Sequence, residues 1–550
     1  MLTLATRNDY ATLLDAESLA DDDTIAITFV ASDQDAIQVT QREFRRHVLQ
    51  FGHVIAQNGV SDGNLVIVAH SNTLTSIYAF WGAMAIGAIP SMFPTLTEKL
   101  DPEIYKRDLA KLVTLSDVKS IITDNSFAPT IADLPCTILT ASHLDIEIPL
   151  AQVHSARPDS IAFLQHSSGT TGLQKGVALS HRAVLNQLAS YSDVLAISNN
   201  DVIVSWLPLY HDMGLIAGFL LPLMQGIPLV LMSPFDWVAH PALLLRAIDD
   251  YGGTLCWLPN FAYNHMARRI RKRDRVNFSM RTMRAFINCS EPVHLGSHQA
   301  FLNTFSASEI TAKHFAVSYA MAENTFAVTQ TAIGKVAKVD YVNQQQLEEQ
   351  NIAEVDPQGI AIVSCGKAIH NTAIRIINGE ENDLAERHVG EVCIKSDCML
   401  TEYYNRPDLE PFVAEWYQTG DMGYLAEGEL YIIGRKKDII INAGKNVYPQ
   451  DIEAIVNTVD GVHKGRCVVF GVFDDRDGTE RIAVVAERDN TIDVDEKSLK
   501  KRIRQQIAQQ STVTASYVTL VNQRWLIKTS SGKIARGANR EKWLSEFASS

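Results

Sequence analysis

Ser167-Ser168-Gly169-Thr170-Thr171-Gly172-Leu173-Gln174-Lys175-Gly176 is the run on which the reading of this chain turns. Small hydroxyl residues and the glycines Gly169, Gly172 and Gly176 let backbone N–H groups and side-chain hydroxyls converge on phosphate oxygens, and Lys175 adds positive charge. The run follows an apolar, strand-like segment, Ile161–Leu164. The pattern GxxxxGK[ST] is absent, which disfavours a P-loop nucleotidase. Taken alone, such a run is as well explained by an ordinary connecting loop, so its surroundings decide.

Outward from the run, short apolar segments alternate with helical patterns, as βα units do. Asn64–His70 reads as a strand, Thr75–Ile86 as a helix closed by Gly87, and the apolar residues up to Pro90 as another strand. Lys119–Thr123 and Thr137–Thr140 read as further strands. These predict an α/β fold, a large body of mostly parallel sheets flanked by helices. Leu215–Met232 is as long as a short membrane span, but Pro222, Gln225, Gly226 and Pro228 interrupt it. A buried helix, a turn and a buried strand fit it better, and no transmembrane segment is expected. Beyond the strand Glu429–Ile433 the pattern changes. A charged junction, Gly434–Asp438, leads to a helix from Pro449, strands at Arg466–Val472 and Arg481–Glu487, and a helix over about 496–509. This is a compact α+β unit, so the chain divides near Lys437 into a large N-terminal domain, 1–436, and a small one, 437–550.

Composition agrees with such a protein. A length of 550 residues exceeds one core, and 46% hydrophobic with 20% charged residues is ordinary globular usage. The seven cysteines show no CxxC pair or zinc-ligand spacing, and the N-terminus lacks a basic segment leading into an apolar core. Both features point to a reduced, cytoplasmic protein. The net charge of −14 is uneven. From Arg435 onward there are 20 Lys and Arg against 15 Asp and Glu, a balance of +5, while the remainder holds 29 against 48. A basic tail on an acidic body suits an anion, either nucleotide phosphate or an acidic partner. Nothing calls for nucleic acid.

Six further motifs follow the glycine/threonine run in order: Trp206–Gly214 (WLPLYHDMG), Cys289–Pro292, Tyr319–Glu323 (YAMAE), Tyr417–Asp421 (YQTGD), Gly434–Asp438 (GRKKD) and Lys528–Lys533 (KTSSGK). The series resembles the adenylate-forming superfamily of acyl-CoA synthetases, luciferases and nonribosomal-peptide adenylation domains. It covers nearly the whole chain and is weakest before residue 60. One departure is Gln174, where the family usually has proline before the lysine. The resemblance implies an ATP-dependent ligase that forms an acyl-adenylate, with a small domain that moves. It implies that Ser167, Ser168, Gly169, Thr170, Thr171, Gly172 and Lys175 hold the β- and γ-phosphates, and that Glu323, with Thr171, binds Mg2+. Ser290, Glu291, Pro292, Tyr319, Ala320 and Met321 would surround adenine, Asp421 would take the ribose hydroxyls, and Arg435 would reach ribose and phosphate. Lys533 would bridge the attacking carboxylate and the α-phosphate, His211 would close the acid site, and Lys437 would be the hinge.

Two features resemble the fatty acyl-AMP ligase branch, which delivers acyl groups to a carrier-protein phosphopantetheine and not to free CoA. One is wording, in Ser205–Ile216 (SWLPLYHDMGLI) and Gly444–Glu453 (GKNVYPQDIE). The other is spacing: Gly366 lies 43 positions after Glu323, and the surplus, approximately 335–358, includes the polar run Asn343–Asn351. It resembles the branch's insertion, thought to limit the domain movement needed for CoA chemistry. A fatty acid and an acidic acyl carrier protein, or the carrier domain of a polyketide or nonribosomal synthase, are therefore the expected partners. An acyl-CoA synthetase is the main alternative; an amino-acid adenylating enzyme, kept open by Asp212, and a non-catalytic adenylate sensor are weaker ones.

Overall fold

The computed structural model describes residues 10–15, 22–71, 73–96, 102–140, 148–167, 175–442, 444–474, 478–529 and 533–547. Among them two large sheets form the body. One holds, in spatial order, Glu402–Tyr403, Lys175–Ser180, Ile161–Ser167, Ile89–Met92, Leu65–Ala69, Val118–Thr123 and Thr137–Thr140. From Ile161–Ser167 to Thr137–Thr140 the strands are parallel, and the two at the other edge are antiparallel. The second large sheet is parallel from Phe315–Ala320 through Ala285–Asn288, Leu255–Leu258, Ile203–Ser205 and Leu229–Met232 to Ile25–Val30. Their continuous apolar runs suit strands buried on both faces.

The helix Thr73–Ala85 and the helix Gln41–Gln57, opened by a Thr40/Glu43 capping box, pack so closely that a Cβ on Gly82 would lie 2.8 Å from the Gly52 amide. Leu215–Met232 becomes the end of a π-helix, Met213–Leu220, then the helix Leu221–Gln225, a left-handed Gly226 (φ 60°) and the buried strand Leu229–Met232. The π-helix was not foreseen. It begins where Gly214 presses on the Pro208 carbonyl, a contact that any Cβ would block. Among the described residues no helix is long and apolar enough to cross a membrane.

A third sheet differs from the expected parallel pattern. Thr372–Ile377, Gly390–Ser396, Trp416–Ala426 and Glu429–Arg435 run antiparallel. The hairpin loop Glu427-Gly428 has positive φ at both positions, as a two-residue primed turn requires. After a short 3-10 turn, Lys436–Asp438, a separate unit follows with its own apolar cluster, including Ile452, Val469, Val484, Leu499 and Ile503. It contains the sheet Val462–Asp474, Thr479–Arg488 and Tyr517–Val521, and the helices Pro449–Val456, Glu496–Gln510 and Arg536–Phe547. The last strand and last helix were not read from the sequence.

Candidate active site

A cavity of about 900 Å3 lies between the body and this C-terminal unit. Lys175, His211, Ser290, Glu291, Pro292, Tyr319, Ala320, Met321, Glu323, Asp421, Arg435, Lys437 and Lys533 all line it. Seven motifs scattered over more than 350 residues thus converge on one space. Ser167 pairs with Lys175 across the strand hairpin; Ser168, Gly169, Thr170, Thr171, Gly172 and Gln174 lie outside the described residues.

The hairpin register places Asp421 opposite Arg435, and the Arg435 Nε sits 3.4 Å from Asp421 Oδ1. Tyr319 donates its hydroxyl to Asp421 Oδ2 at 2.6 Å. Burial pushes the Asp421 carboxyl up from its ordinary value, opposed by Arg435 and the Tyr319 hydroxyl. The Asp421 carboxylate is therefore oriented by its protein neighbours.

Glu323 is treated similarly. Tyr403 donates to Glu323 Oε1 at 3.2 Å and its hydroxyl lies 3.0 Å from that of Tyr417. The Lys175 ammonium stands 4.7 Å from the centre of the Tyr403 ring. Burial raises the Glu323 pKa, while the Tyr403 hydroxyl and Lys175 oppose the rise. Ser290 holds a left-handed backbone (φ 70°), strained for a side chain and typical of ligand sites. Glu291 accepts a hydrogen bond from the Phe261 amide at 3.0 Å, in the first turn of the helix Asn260–Arg269.

On another wall His211 Nδ1 lies 2.5 Å from Asp212 Oδ1, which also accepts from the Met213 amide at 2.7 Å. Burial acts to raise the Asp212 pKa, but His211 and Lys533 outweigh it and leave it lowered. Lys533 enters from the C-terminal unit on a turn in which the Thr529 amide donates to the Lys533 carbonyl at 2.7 Å and Thr529 Oγ1 accepts from the Lys533 amide at 3.2 Å. Burial and Arg435 lower the Lys533 pKa, while Asp212 and Glu291 act against them. Lys437 lies in the 3-10 turn at the junction. There the neighbouring Asp438 receives Arg536 Nη1 at 2.6 Å, and Arg536 also reaches Glu453 at 2.8 Å.

Three groups escaped the sequence reading. Tyr403 was in no motif; Tyr417 was quoted but given no role; Asp212 was read only as a weak sign of an amino-acid substrate. A tyrosine in an ordinary polar stretch carries no signal until the fold sets it beside Glu323.

The surplus segment forms a strand pair, Val339–Val342 with Ile360–Val363, and a short helix, Gln344–Gln350. Asn343 caps this helix through its side chain, and Asn351 ends it in the left-handed region (φ 56°). The helix meets the C-terminal unit. Lys445 Nζ lies 2.9 Å from Glu349 Oε1, Asn446 donates to Asn351 Oδ1 at 2.9 Å, and Thr512 donates to Glu348. Leu347, Val342, Tyr431, Ile433 and Tyr448 close an apolar cluster across the same seam.

The AMP-binding enzyme family matches residues 16–404, and its C-terminal domain matches 444–539. The chain belongs to the AMP-binding enzyme family. The resemblance to adenylate-forming enzymes drawn from the seven motifs thus holds, as does the α/β body with a smaller C-terminal unit. The chain is similar to the medium-chain-fatty-acid–[acyl-carrier-protein] ligase JamA of Moorena producens, 30% identical over 89% of this chain and 87% of JamA. It is also similar to the long-chain-fatty-acid–AMP ligase FadD28 of Mycobacterium tuberculosis, 27% identical over 94% and 95% of the two chains. A solved structure from work on fatty acyl-adenylate ligases of E. coli and L. pneumophila superposes with a TM-score of 0.89 at 26% identity, covering 99% of each chain. This AMP-binding enzyme is an AMP-forming ligase that uses ATP.

Proposed function

We propose that this enzyme joins a fatty acid to the AMP part of ATP and then passes the acyl group to the phosphopantetheine thiol of an acyl carrier protein. The carboxylate oxygen attacks the α-phosphorus, the bond to the β-phosphate breaks, and pyrophosphate leaves. In the second step the thiol sulfur replaces AMP at the acyl carbonyl and its proton is released.

The observation that carries this reading is Lys533, brought by the C-terminal unit into a cavity whose other walls hold Asp421, Arg435, Glu323 and Lys175. Two anions must meet for adenylation, so a positioned cation supplies much of the rate by neutralising charge that develops between them. In this proposal Lys533 bridges the carboxylate and the α-phosphate. Asp421 and Arg435 hold the ribose, Tyr319 and Ser290–Pro292 surround the base, and Lys175 with the Ser167–Gly172 run holds the β- and γ-phosphates. His211, fixed by Asp212, borders the acid.

Magnesium fits this donor set. It takes one or two carboxylates together with phosphate oxygens and water. Among the described residues no group of three or more His, Cys, Asp or Glu side chains is placed to hold a metal without such help. Glu323, with the Thr171 hydroxyl, would hold the ion, which supplies charge neutralisation on the phosphates. Residues 1–436 and 437–550 act as body and moving domain, with Lys437 at the hinge.

The carrier is favoured over CoA by the seam between 335–358 and the C-terminal unit. A brace worth about 1–3 kcal/mol shifts a two-state domain equilibrium about 5- to 150-fold. A carrier protein offsets such a bias through docking contacts that free CoA lacks. Removing the whole insertion is a blunt test, because its Asp340 accepts from both Arg387 (2.9 Å) and Tyr424 (2.8 Å) inside the body. Combining Glu348→Ala, Glu349→Ala and Asn351→Gly removes the polar contacts of the seam and leaves the apolar cluster in place. The variant should gain acyl-CoA formation and keep adenylation. Normal adenylation with CoA still ignored would remove these polar contacts as the cause. Abundant acyl-CoA from the unaltered enzyme would favour the synthetase reading.

A further inference from the structure

The body is acidic, yet one short part of its surface is not. Arg268, Arg269, Arg271, Lys272 and Arg273 are all exposed, at the end of the helix Asn260–Arg269 and in the turn that follows. Among the described residues Arg268, Arg269, Arg271 and Lys272 make no ion pair, and Arg273 approaches only its neighbour Asp274, at 3.7 Å. Arg275 pins the turn by donating to the Ile270 carbonyl (3.0 Å) and the Ala267 carbonyl (2.8 Å), so the cations sit on a fixed scaffold.

The same face is apolar on one side. Phe261 is 42% exposed and lies seven residues before Arg268, about 10 Å along the helix and on the same stripe. The helix Pro234–Ala239 packs alongside: the Trp237 ring centre is 6.3 Å from that of Phe261, and His265 Nε2 lies 3.1 Å from the Val238 carbonyl. Its outer residues Phe235 and Val238 are 55% and 39% exposed. Beneath them Trp206 and Trp237 stack at 3.6 Å, which makes the base of the patch rigid.

We propose that this face binds the surface of an anionic membrane. Phe235, Val238 and Phe261 enter the headgroup boundary while the cations from Arg268 to Arg273 meet lipid phosphates. Aromatic and aliphatic residues bordered by Lys and Arg form the interfacial pattern, and each cation near an anionic bilayer changes partition roughly fivefold. An acidic protein would match the charges but leave the three apolar side chains without a counterpart. The C-terminal unit carries a different basic face, with Lys497, Lys501 and Arg504 on the helix Glu496–Gln510 and no such apolar border. The patch begins beside the cavity, since the Phe261 amide is the group that Glu291 accepts.

Sedimentation of the full chain with vesicles tests this without reference to the reaction. Vesicles of phosphatidylcholine mixed with phosphatidylglycerol should bring the protein down, and vesicles of phosphatidylcholine alone should bring down much less. Combining Arg268→Glu, Arg271→Glu, Lys272→Glu and Arg273→Glu should lower partition at least about tenfold. Combining Phe235→Ser and Val238→Ser should weaken binding at physiological salt, where charge is screened. Both variants should retain pyrophosphate release from soluble acids without vesicles, which shows that they fold. No preference for anionic vesicles, or equal binding by the charge-reversed protein, would overturn the proposal. So would a charge-reversed protein that binds vesicles normally but loses transfer to a carrier, which would give the face to a protein partner.

Discussion

The body side of the cavity and the side supplied after Lys437 hold their polar groups by different means. On the body, these side chains are fixed by neighbours that have their own place in a sheet or a helix. Asp421 is held by Tyr319 and by a hairpin register, Glu323 by Tyr403, and Glu291 by a helix amide. The C-terminal side brings Lys533, whose amide donates to Thr529 Oγ1, and among the described residues the unit meets the segment 335–358 through three side-chain hydrogen bonds or ion pairs and one apolar cluster. The first arrangement is suited to binding the same ligand throughout a cycle. The second is suited to a group that is needed in one step and withdrawn for the next.

If that contrast is right, losing the delivered group should hurt most. Lys533→Ala should reduce acyl-AMP synthesis on the order of 10²–10³-fold, the usual cost of removing a positioned charge that acts in the transition state. ATP affinity, measured by titration calorimetry, should change far less. Retention of more than half the wild-type pyrophosphate-release rate would erase the distinction between the two walls.

A body residue should show the opposite signature. Asp421→Ala removes hydrogen bonds to a charged acceptor, worth about 1.5–3 kcal/mol, so nucleotide affinity should fall about 10- to 150-fold. Tyr319→Phe leaves the ring and removes only its donor, and about a 2- to 10-fold loss is expected. A change in turnover at saturating ATP with unaltered affinity would contradict a binding role for both.

The comparison also has a pH form. Burial and Arg435 lower the Lys533 pKa below the ordinary lysine value of 10.5. The protonated side chain is the useful one, so adenylation should decline as pH rises through that lowered value, earlier than an unperturbed lysine would allow. Measured over an alkaline series, this limb should be missing from the residual activity of Lys533→Ala; its persistence there would assign it to another group. A smaller effect still is expected from Glu349→Lys, which sets like charges at the Lys445 contact. Transfer to CoA should rise only a few-fold, because a solvent-screened ion pair contributes little. No change in the ratio of CoA to carrier transfer would show that the seam does not depend on the Lys445–Glu349 pair.

What could be read from the sequence follows the same division. The buried strand Leu65–Ala69 was legible because a continuous apolar run between turns leaves few alternatives. The motif residues around the cavity were legible because their order over the chain is specific, even though each residue alone is ordinary. The antiparallel sheet over 372–435 was harder to see: its half-exposed strands, such as Thr372–Ile377, mix polar and apolar residues without clean alternation. The two-turn helix Gln344–Gln350 was hidden in a polar run, since seven residues with little apolar content carry no period. Tyr403 was missed and Asp212 given little weight because their interactions reach 80 and more than 300 positions along the chain, to Glu323 and Lys533. Periodicity cannot report such pairings.

The central claim is that this cavity makes an acyl-adenylate and hands its acyl group to a carrier. It is tested most directly by incubating the full-length enzyme with ATP, magnesium, a panel of fatty acids and either CoA or a holo acyl carrier protein, then identifying the products by mass spectrometry. The account predicts acyl-AMP and pyrophosphate with a fatty acid, acyl thioester on the carrier, and little acyl-CoA. Absence of acyl-AMP with every fatty acid, or acyl-CoA formed as readily as acyl-carrier, would contradict it.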